Sequence, residues 1–301
     1  MSKQNISGVL LLNKPYGLSS NTALQKTKRI FNAAKAGHTG TLDPLATGLL
    51  PICLGEATKF SSFLLDADKE YIATIKLGVA TTTYDAEGEI TANNKVTSSN
   101  AEILECINSF IGKITQYPPI YSALKVKGRA LYDYARNGEE VEIKSREVTI
   151  HELELIEFIS EDEFNLRVLS SKGTYIRSLA HDIGQKLGCG AHLSGLVRTK
   201  TNHFNIQQSK TLEELSNIEP NELINLLLPT DILVGYLVKI ELSEVQYAKI
   251  KNGHSCEQAI MRSETDLVRL YYDNVFLGIA KNEANGIIKP IRLCRLFQDK
   301  Q

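Results

Sequence analysis

The order in which strand and helix signals follow one another limits the fold of this chain most. Gly8-Val9-Leu10-Leu11-Leu12-Asn13 is a short apolar run stopped by Lys14-Pro15, the pattern of a buried strand and a turn. Ser20 is placed to cap a helix with Ala23, Leu24, Thr27, Ile30 and Phe31 on its apolar side and Lys26, Lys28 and Arg29 outward. A glycine-rich segment, 37–48, follows. Lys69 to Val79 alternates as a strand, Ala101 to Ile111 has helical spacing, and Gln116-Tyr117-Pro118-Pro119 breaks the chain. Arg129 to Asn137 reads as a short helix, Arg146 to Leu169 as an antiparallel hairpin around an acidic turn, and Ile176 to Leu187 as a helix closed by Gly188. No regular βαβ alternation runs through this order, which argues for an α+β body.

Near Lys239 the character changes. Ser243 to Asn252 suggests one short helix, and three strand-like runs follow, Asp266 to Tyr272, Val275 to Ala280 and Ile287 to Phe297. Asp273-Asn274 and Asn285-Gly286 are good turn pairs between them. A length of 301 residues is comfortable for two domains, and the expected division is 1–238 and 239–301, the second a small barrel-like module.

Lys+Arg 34 against Asp+Glu 35 gives a net charge of -1, which conceals an uneven distribution. No acidic residue occurs from Met1 to Leu42, where Lys3, Lys14, Lys26, Lys28, Arg29 and Lys35 stand, while acid collects at 152–163 and 213–222. One positive face suited to an anionic partner is compatible with such a total. The five cysteines are dispersed with no C-x-x-C pair, the pattern of reduced thiols and not of a disulfide frame or zinc site. Leu223 to Ile240 is interrupted by Pro229 and Asp231, and no apolar run with a cleavage site opens the chain. The expectation is a cytoplasmic protein with no membrane partner, no metal and no obligate protein partner.

The segment Gly37-His38-Thr39-Gly40-Thr41-Leu42-Asp43-Pro44-Leu45-Ala46-Thr47-Gly48 carries the chemistry. Three glycines and a proline fix a sharp turn or bring backbone close to something. In its plainest reading Asp43 caps a helix that starts at Pro44 or Leu45. A phosphate cradle fits less well, since the lysine of G-x-x-x-x-G-K-[ST] is missing. No G-x-S-x-G elbow of a serine hydrolase occurs anywhere.

His38 to Leu50 resembles the signature loop of the bacterial tRNA pseudouridine-55 synthase B (TruB) family. Lys14-Pro15-Tyr16-Gly17-Leu18-Ser19-Ser20 is similar to that family's K-P-x-G-x-[ST]-S motif, and Tyr71 within Lys69-Glu70-Tyr71-Ile72-Ala73 falls at its motif tyrosine. Tyr117-Pro118-Pro119-Ile120-Tyr121-Ser122-Ala123-Leu124-Lys125, Gly173-Thr174-Tyr175-Ile176-Arg177-Ser178-Leu179 and Leu196-Val197-Arg198-Thr199 continue the match in the right order. The resemblance implies a pseudouridine-synthase-like mixed sheet, a C-terminal β-rich PUA-like domain and an RNA-clamping insertion at 124–146. It implies an isomerase that converts the T-loop uridine, position 55 of tRNA, to pseudouridine without a cofactor.

By the same resemblance Asp43 is the catalytic carboxylate, Arg177 its ionic partner and Tyr71 the aromatic neighbour of the base. Leu196 forms an apolar wall of the uracil site, and His38 stacks where the nucleotide has left or holds the loop. Read without the family, Arg177 is a surface residue at a helix start and Tyr71 and Leu196 are core. Chemically the set is coherent, because an ionised carboxylate in a closed site needs a cation to offset desolvation. Lys14, Tyr175, Lys125, Arg129 and Arg198 are the expected RNA contacts, with Lys26, Lys28, Arg29, Lys35, Lys127, Lys172 and Lys200 as further contacts to the RNA backbone. The resemblance implies that the insertion folds onto the T-arm and that the PUA-like domain touches the acceptor arm. Two other readings stay open: a non-catalytic RNA-binding or tRNA-folding module, and a pseudouridine synthase for another RNA.

Overall fold

The computed structural model describes residues 2–258 and 266–295 of the 301. Its spine is a ten-stranded mixed sheet. The main path runs Lys210–Thr211, Gly8–Lys14, Thr47–Leu54, Ala191–Thr201, Lys69–Leu77, Glu163–Ser170, Arg146–Ser160, Gly112–Gln116. Ala36–His38 and Phe204–Asn205 attach beside it. Pairing is antiparallel except between Gly8–Lys14 and Lys210–Thr211 and between Ala191–Thr201 and Thr47–Leu54. The long hairpin around the acidic turn pairs antiparallel, as its alternation requires.

The first strand shows why its apolar run is unbroken. Leu10 and Leu12 enter one core cluster, while Val9 and Leu11 enter another on the opposite face. A strand covered on both sides has no polar face to alternate with. The helix Ser20–Ile30 lays Ala23, Leu24 and Thr27 against the first cluster and keeps Lys26 and Arg29 exposed. The helix Asn100–Asn108 is closed by a reciprocal capping box between Ser99 and Glu102. All five cysteines are buried and free.

The C-terminal strands form a separate five-stranded sheet in the order Val238–Glu241, Leu267–Tyr272, Val275–Asn282, Ile287–Leu293, Cys256–Glu257, the β-rich PUA-like module expected. Ser243 caps the helix Glu244–Lys251, and Asp273 and Asn274 both take positive φ in the hairpin turn. The last strand ends at Leu293, before Cys294 and Arg295, short of the expected Phe297; residues 296 and 297 lie outside the described residues. Among the described residues no helix is long and apolar enough to cross a membrane.

Two local expectations fail. Ser19, not Ser20, is the N-cap of the first helix, its hydroxyl accepting from Thr22 N at 3.1 Å. Ser20 is buried and turned toward the glycine-rich loop. Asp43 caps nothing, because a turn closed by Ala46 N donating to Asp43 O leads straight into the strand Thr47–Leu54. That freedom from a helix lets Asp43 point elsewhere. Gly48 makes the junction possible: its φ is +100°, and a Cβ there would stand 2.4 Å from the carbonyl oxygen of Arg198 on the paired strand. Gly48→Ala therefore lowers stability by about 1–3 kcal/mol, seen as a lower urea midpoint; an unchanged midpoint would contradict this close approach.

Candidate active site

Asp43 is fixed by its neighbours in sequence. The Ser20 hydroxyl accepts from Leu42 N at 2.7 Å and donates to Leu42 O at 2.9 Å. On the other side Gly17 N donates to Pro44 O at 2.9 Å, and the Lys14 ammonium reaches the same carbonyl at 3.4 Å. The Lys14–Ser20 motif thus holds the backbone on both sides of the carboxylate. Lys14 also donates to Pro15 O and Leu18 O and is sealed from solvent. It is an internal brace, and the RNA contact expected of it is not available in this arrangement. Burial lowers its pKa to about 8, although the carboxylates of Asp43 and Glu87 pull upward.

Arg177 lies in the first turn of the helix Ile176–Lys186 and is nearly sealed. Its Nε stands 3.0 Å from Asp43 Oδ2, and its Nη1 stands 3.3 Å from Asp85 Oδ2. Nη1 also donates to Thr83 O at 3.2 Å, and Nη2 donates to Tyr121 O at 3.0 Å. One guanidinium therefore bridges two carboxylates of different exposure: the Asp85 side chain is 3% exposed and that of Asp43 37%. Asp85 is held by Thr83 Oγ1 at 2.5 Å and Glu87 N at 3.0 Å, while Asp43 opens to a cavity. Tyr84, which lies between Thr83 and Asp85 in sequence, adopts φ +62° and stacks on His181 of the Arg177 helix at 3.9 Å. Burial raises the Asp43 pKa above the ordinary carboxylate value; Arg177 and Lys14 draw it down, Asp85 pushes it up, and the net shift is upward.

The cavity has a volume of about 370 Å³, toward the small end of ligand sites. Tyr71 and Leu196 come to it from adjacent strands, Tyr175 from the start of the Arg177 helix, and Ser122 to Leu124 from the segment after the double proline. Asp43, Tyr71, Tyr175, Arg177, Leu196 and Arg198 thus meet in one place. Arg198 also lines the cavity, but it is buried and donates to Leu49 O at 2.7 Å and Gly40 O at 3.3 Å, so its guanidinium is engaged with the backbone of the loop. His38 does not line the cavity; it ends the short strand Ala36–His38, where burial, and then Arg198, lower its pKa.

The expected RNA contacts divide. Lys125 and Lys127 are exposed on a two-stranded hairpin, Lys125–Val126 with Arg129–Ala130, and Lys26, Arg29 and Lys35 are exposed near the first helix. Arg129 is engaged within the protein, its Nη1 donating to both carboxylate oxygens of Glu139 at 2.8 and 3.0 Å and its guanidinium lying over the Tyr134 ring. Lys172 pairs with Asp66 and Lys200 with Glu70. The sequence reading missed Asp85, Lys69, Arg146 and Gln116. Asp85 carries the one available signal, an aspartate within a Thr81–Gly88 turn rich in threonine; the others have no pattern of their own.

Residues 28–176 match the model of the TruB family pseudouridylate synthase N-terminal domain. Residues 177–235 match the tRNA pseudouridylate synthase B C-terminal domain, and 239–294 match the pseudouridine synthase II TruB C-terminal region. The tRNA pseudouridine synthase B of Methylobacillus flagellatus is 50% identical over 294 residues, covering 97% of each chain. That of Aromatoleum aromaticum is 49% identical over 96% of this chain and 92% of its own. Among solved structures, one of an H/ACA RNP bound to a substrate RNA containing 2′-deoxyuridine aligns with 26% identity and a TM-score of 0.71, over 95% of this chain and 84% of the other. The class is therefore that of the pseudouridylate synthases. Within it, the chain belongs to the TruB family.

A carboxyl whose pKa rises on folding favours the folded state when protonated and opposes it when ionised. The native protein holds the extra proton between the unfolded and folded pKa values, so this group's contribution falls as pH rises through that window. At pH 7, Asp43→Asn is expected to unfold at a higher urea concentration than the unaltered protein, with the advantage shrinking as pH approaches 4. A lower midpoint for the variant at pH 7 would mean that Arg177 outweighs burial.

Proposed function

We propose that the protein isomerises the T-loop uridine at position 55 of tRNA to pseudouridine, with Asp43 as the reacting carboxylate. The observation that carries this is the Asp43 side chain, open to a cavity and bridged from behind by a buried arginine. Pseudouridine formation in tRNA is the activity of the named relatives. The C1′–N1 bond breaks, the uracil turns, and C5 bonds to C1′; C5 gives up its proton and N1 regains one. Atoms and charge balance, and no electrons are exchanged.

Each residue has a task in that sequence. Asp43 supplies the charged oxygen, whether it attacks the sugar, attacks C6 or removes a sugar proton. Arg177 orients it and keeps its negative charge tolerable inside a closing site. Tyr71 offers a ring against the extruded uracil and a hydroxyl close to the chemistry, and Leu196 offers an apolar wall. Extrusion of the base costs a few kcal/mol of stacking, which backbone contacts offset. The insertion at 124–146, with exposed Lys125 and Lys127, is assigned to clamp the T-arm, and the module at 239–301 to approach the acceptor arm. A pure RNA binder has no use for a carboxylate aimed into an anion's site, which favours the enzyme.

The test is incubation with an unmodified tRNA transcript followed by base-resolved pseudouridine mapping. Product at one T-loop uridine, position 55, is expected. Asp43→Asn is expected to abolish product while binding tRNA within about tenfold of the unaltered protein, and Arg177→Ala to lose activity mainly in kcat. Product elsewhere would overturn the substrate assignment, and activity in Asp43→Asn the catalytic one.

A further inference from the structure

Four cationic side chains line the cavity, and three are occupied by the protein itself. Arg177 faces Asp43 and Asp85, Arg198 donates to the carbonyls of Leu49 and Gly40, and Lys69 donates to the carbonyls of Leu65 and Ala67 at 2.6 and 2.5 Å. Arg146 is the fourth. Its Nε and Nη2 are buried, and neither has an acceptor among the described residues.

The guanidinium is nevertheless well located. Arg146 opens the strand Arg146–Ser160 opposite Gln116, which is itself buried. Gln116 accepts from Tyr175 N at 3.1 Å and donates to Tyr175 O at 3.2 Å, fixing the residue before the Arg177 helix. The Arg146 guanidinium lies over the Tyr175 ring, 4.5 Å from its centre. Gly173, with φ +80°, leaves room beside it, since a Cβ there would stand 3.1 Å from Nη1. Stacking satisfies the face of the guanidinium and leaves its in-plane N–H donors free. Buried charged donors without acceptors cost free energy, and a planar fork of this kind suits phosphate oxygens.

We propose that Arg146, set by Tyr175 and Gln116, binds a phosphate of the RNA backbone flanking the uridine that enters the cavity. This rests on the RNA-modifying function given above and adds a named phosphate contact to it. Arg146 here acts on substrate binding and placement, and Tyr175 and Gln116 act through Arg146.

The test uses the full chain and T-arm stem-loop RNAs that carry one neutral methylphosphonate linkage, either 5′ or 3′ of the target uridine. Unaltered protein is expected to lose about tenfold in kcat/KM at one of the two linkages, the scale of one charge-assisted hydrogen bond. Arg146→Ala is expected to begin about tenfold lower on the all-phosphate RNA and to lose less than about twofold on either modified one. Its plot of log Kd against log salt should flatten by about 0.7. Arg146→Lys, which keeps the charge, should retain the salt slope and recover part of the activity. An Arg146→Ala protein that folds, keeps the full salt slope and responds to the neutral linkages as the unaltered protein does would overturn the proposal. Absence of pseudouridine from unaltered protein on the all-phosphate RNA would instead overturn the function on which it rests.

Discussion

The site depends on one buried guanidinium shared by two carboxylates. Arg177 touches Asp43 on the cavity side and Asp85 on the sealed side, and it donates to two backbone carbonyls besides. A buried ion group of this kind contributes little net stability, because desolvation consumes most of the Coulombic gain. Its value is geometric. Asp85 anchors the arginine, so Asp43 finds a cation already in position and spends no reorganisation when the cavity fills. The turn that carries Asp85 is tied to the same helix again, by the stack of Tyr84 on His181 one turn beyond Arg177.

Around that bridge the protein arranges support for a loop that secondary structure does not hold. Ser20 grips Leu42, Gly17 and Lys14 grip Pro44, and Arg198 reaches up to Gly40. Polar side chains sunk in the body, among them Lys14 and Arg198, thus serve backbone carbonyls of the loop around Asp43, which have no ladder partners there. The cost is visible in Lys14, whose ammonium burial pushes toward neutrality. The same cost at Asp43 keeps its carboxyl nearer to accepting a proton than an exposed aspartate.

Much of this architecture was legible in the sequence, for reasons that differ by element. The doubly covered strand at Gly8–Lys14, the acidic hairpin and the helix before Gly188 each carry a strong local pattern, and the structure contains all three. The gathering of Asp43, Tyr71, Arg177 and Leu196 was legible through family motifs, since nothing in local spacing relates positions so far apart. Burial was what the sequence hid. A lysine in a basic N-terminal segment looks like a phosphate contact, and only the packing of Lys14 beneath Pro44 shows otherwise. Arg129 likewise looks free until Glu139 folds back on it. Arg146 stands at the end of a strand with no neighbour in sequence to mark it, and its significance comes from acceptors it lacks.

In the proposed reaction Asp43 acts as an ion whose affinity for protons is set by burial, Arg177 and Asp85 together. Single-turnover pseudouridine formation measured against pH, in the unaltered protein and in Asp85→Asn, tests it most directly. An acid limb above the usual aspartate range is expected, with a shift of that limb to lower pH when the second negative charge is removed. A limb at the ordinary aspartate value, or one that Asp85→Asn leaves in place, would contradict it.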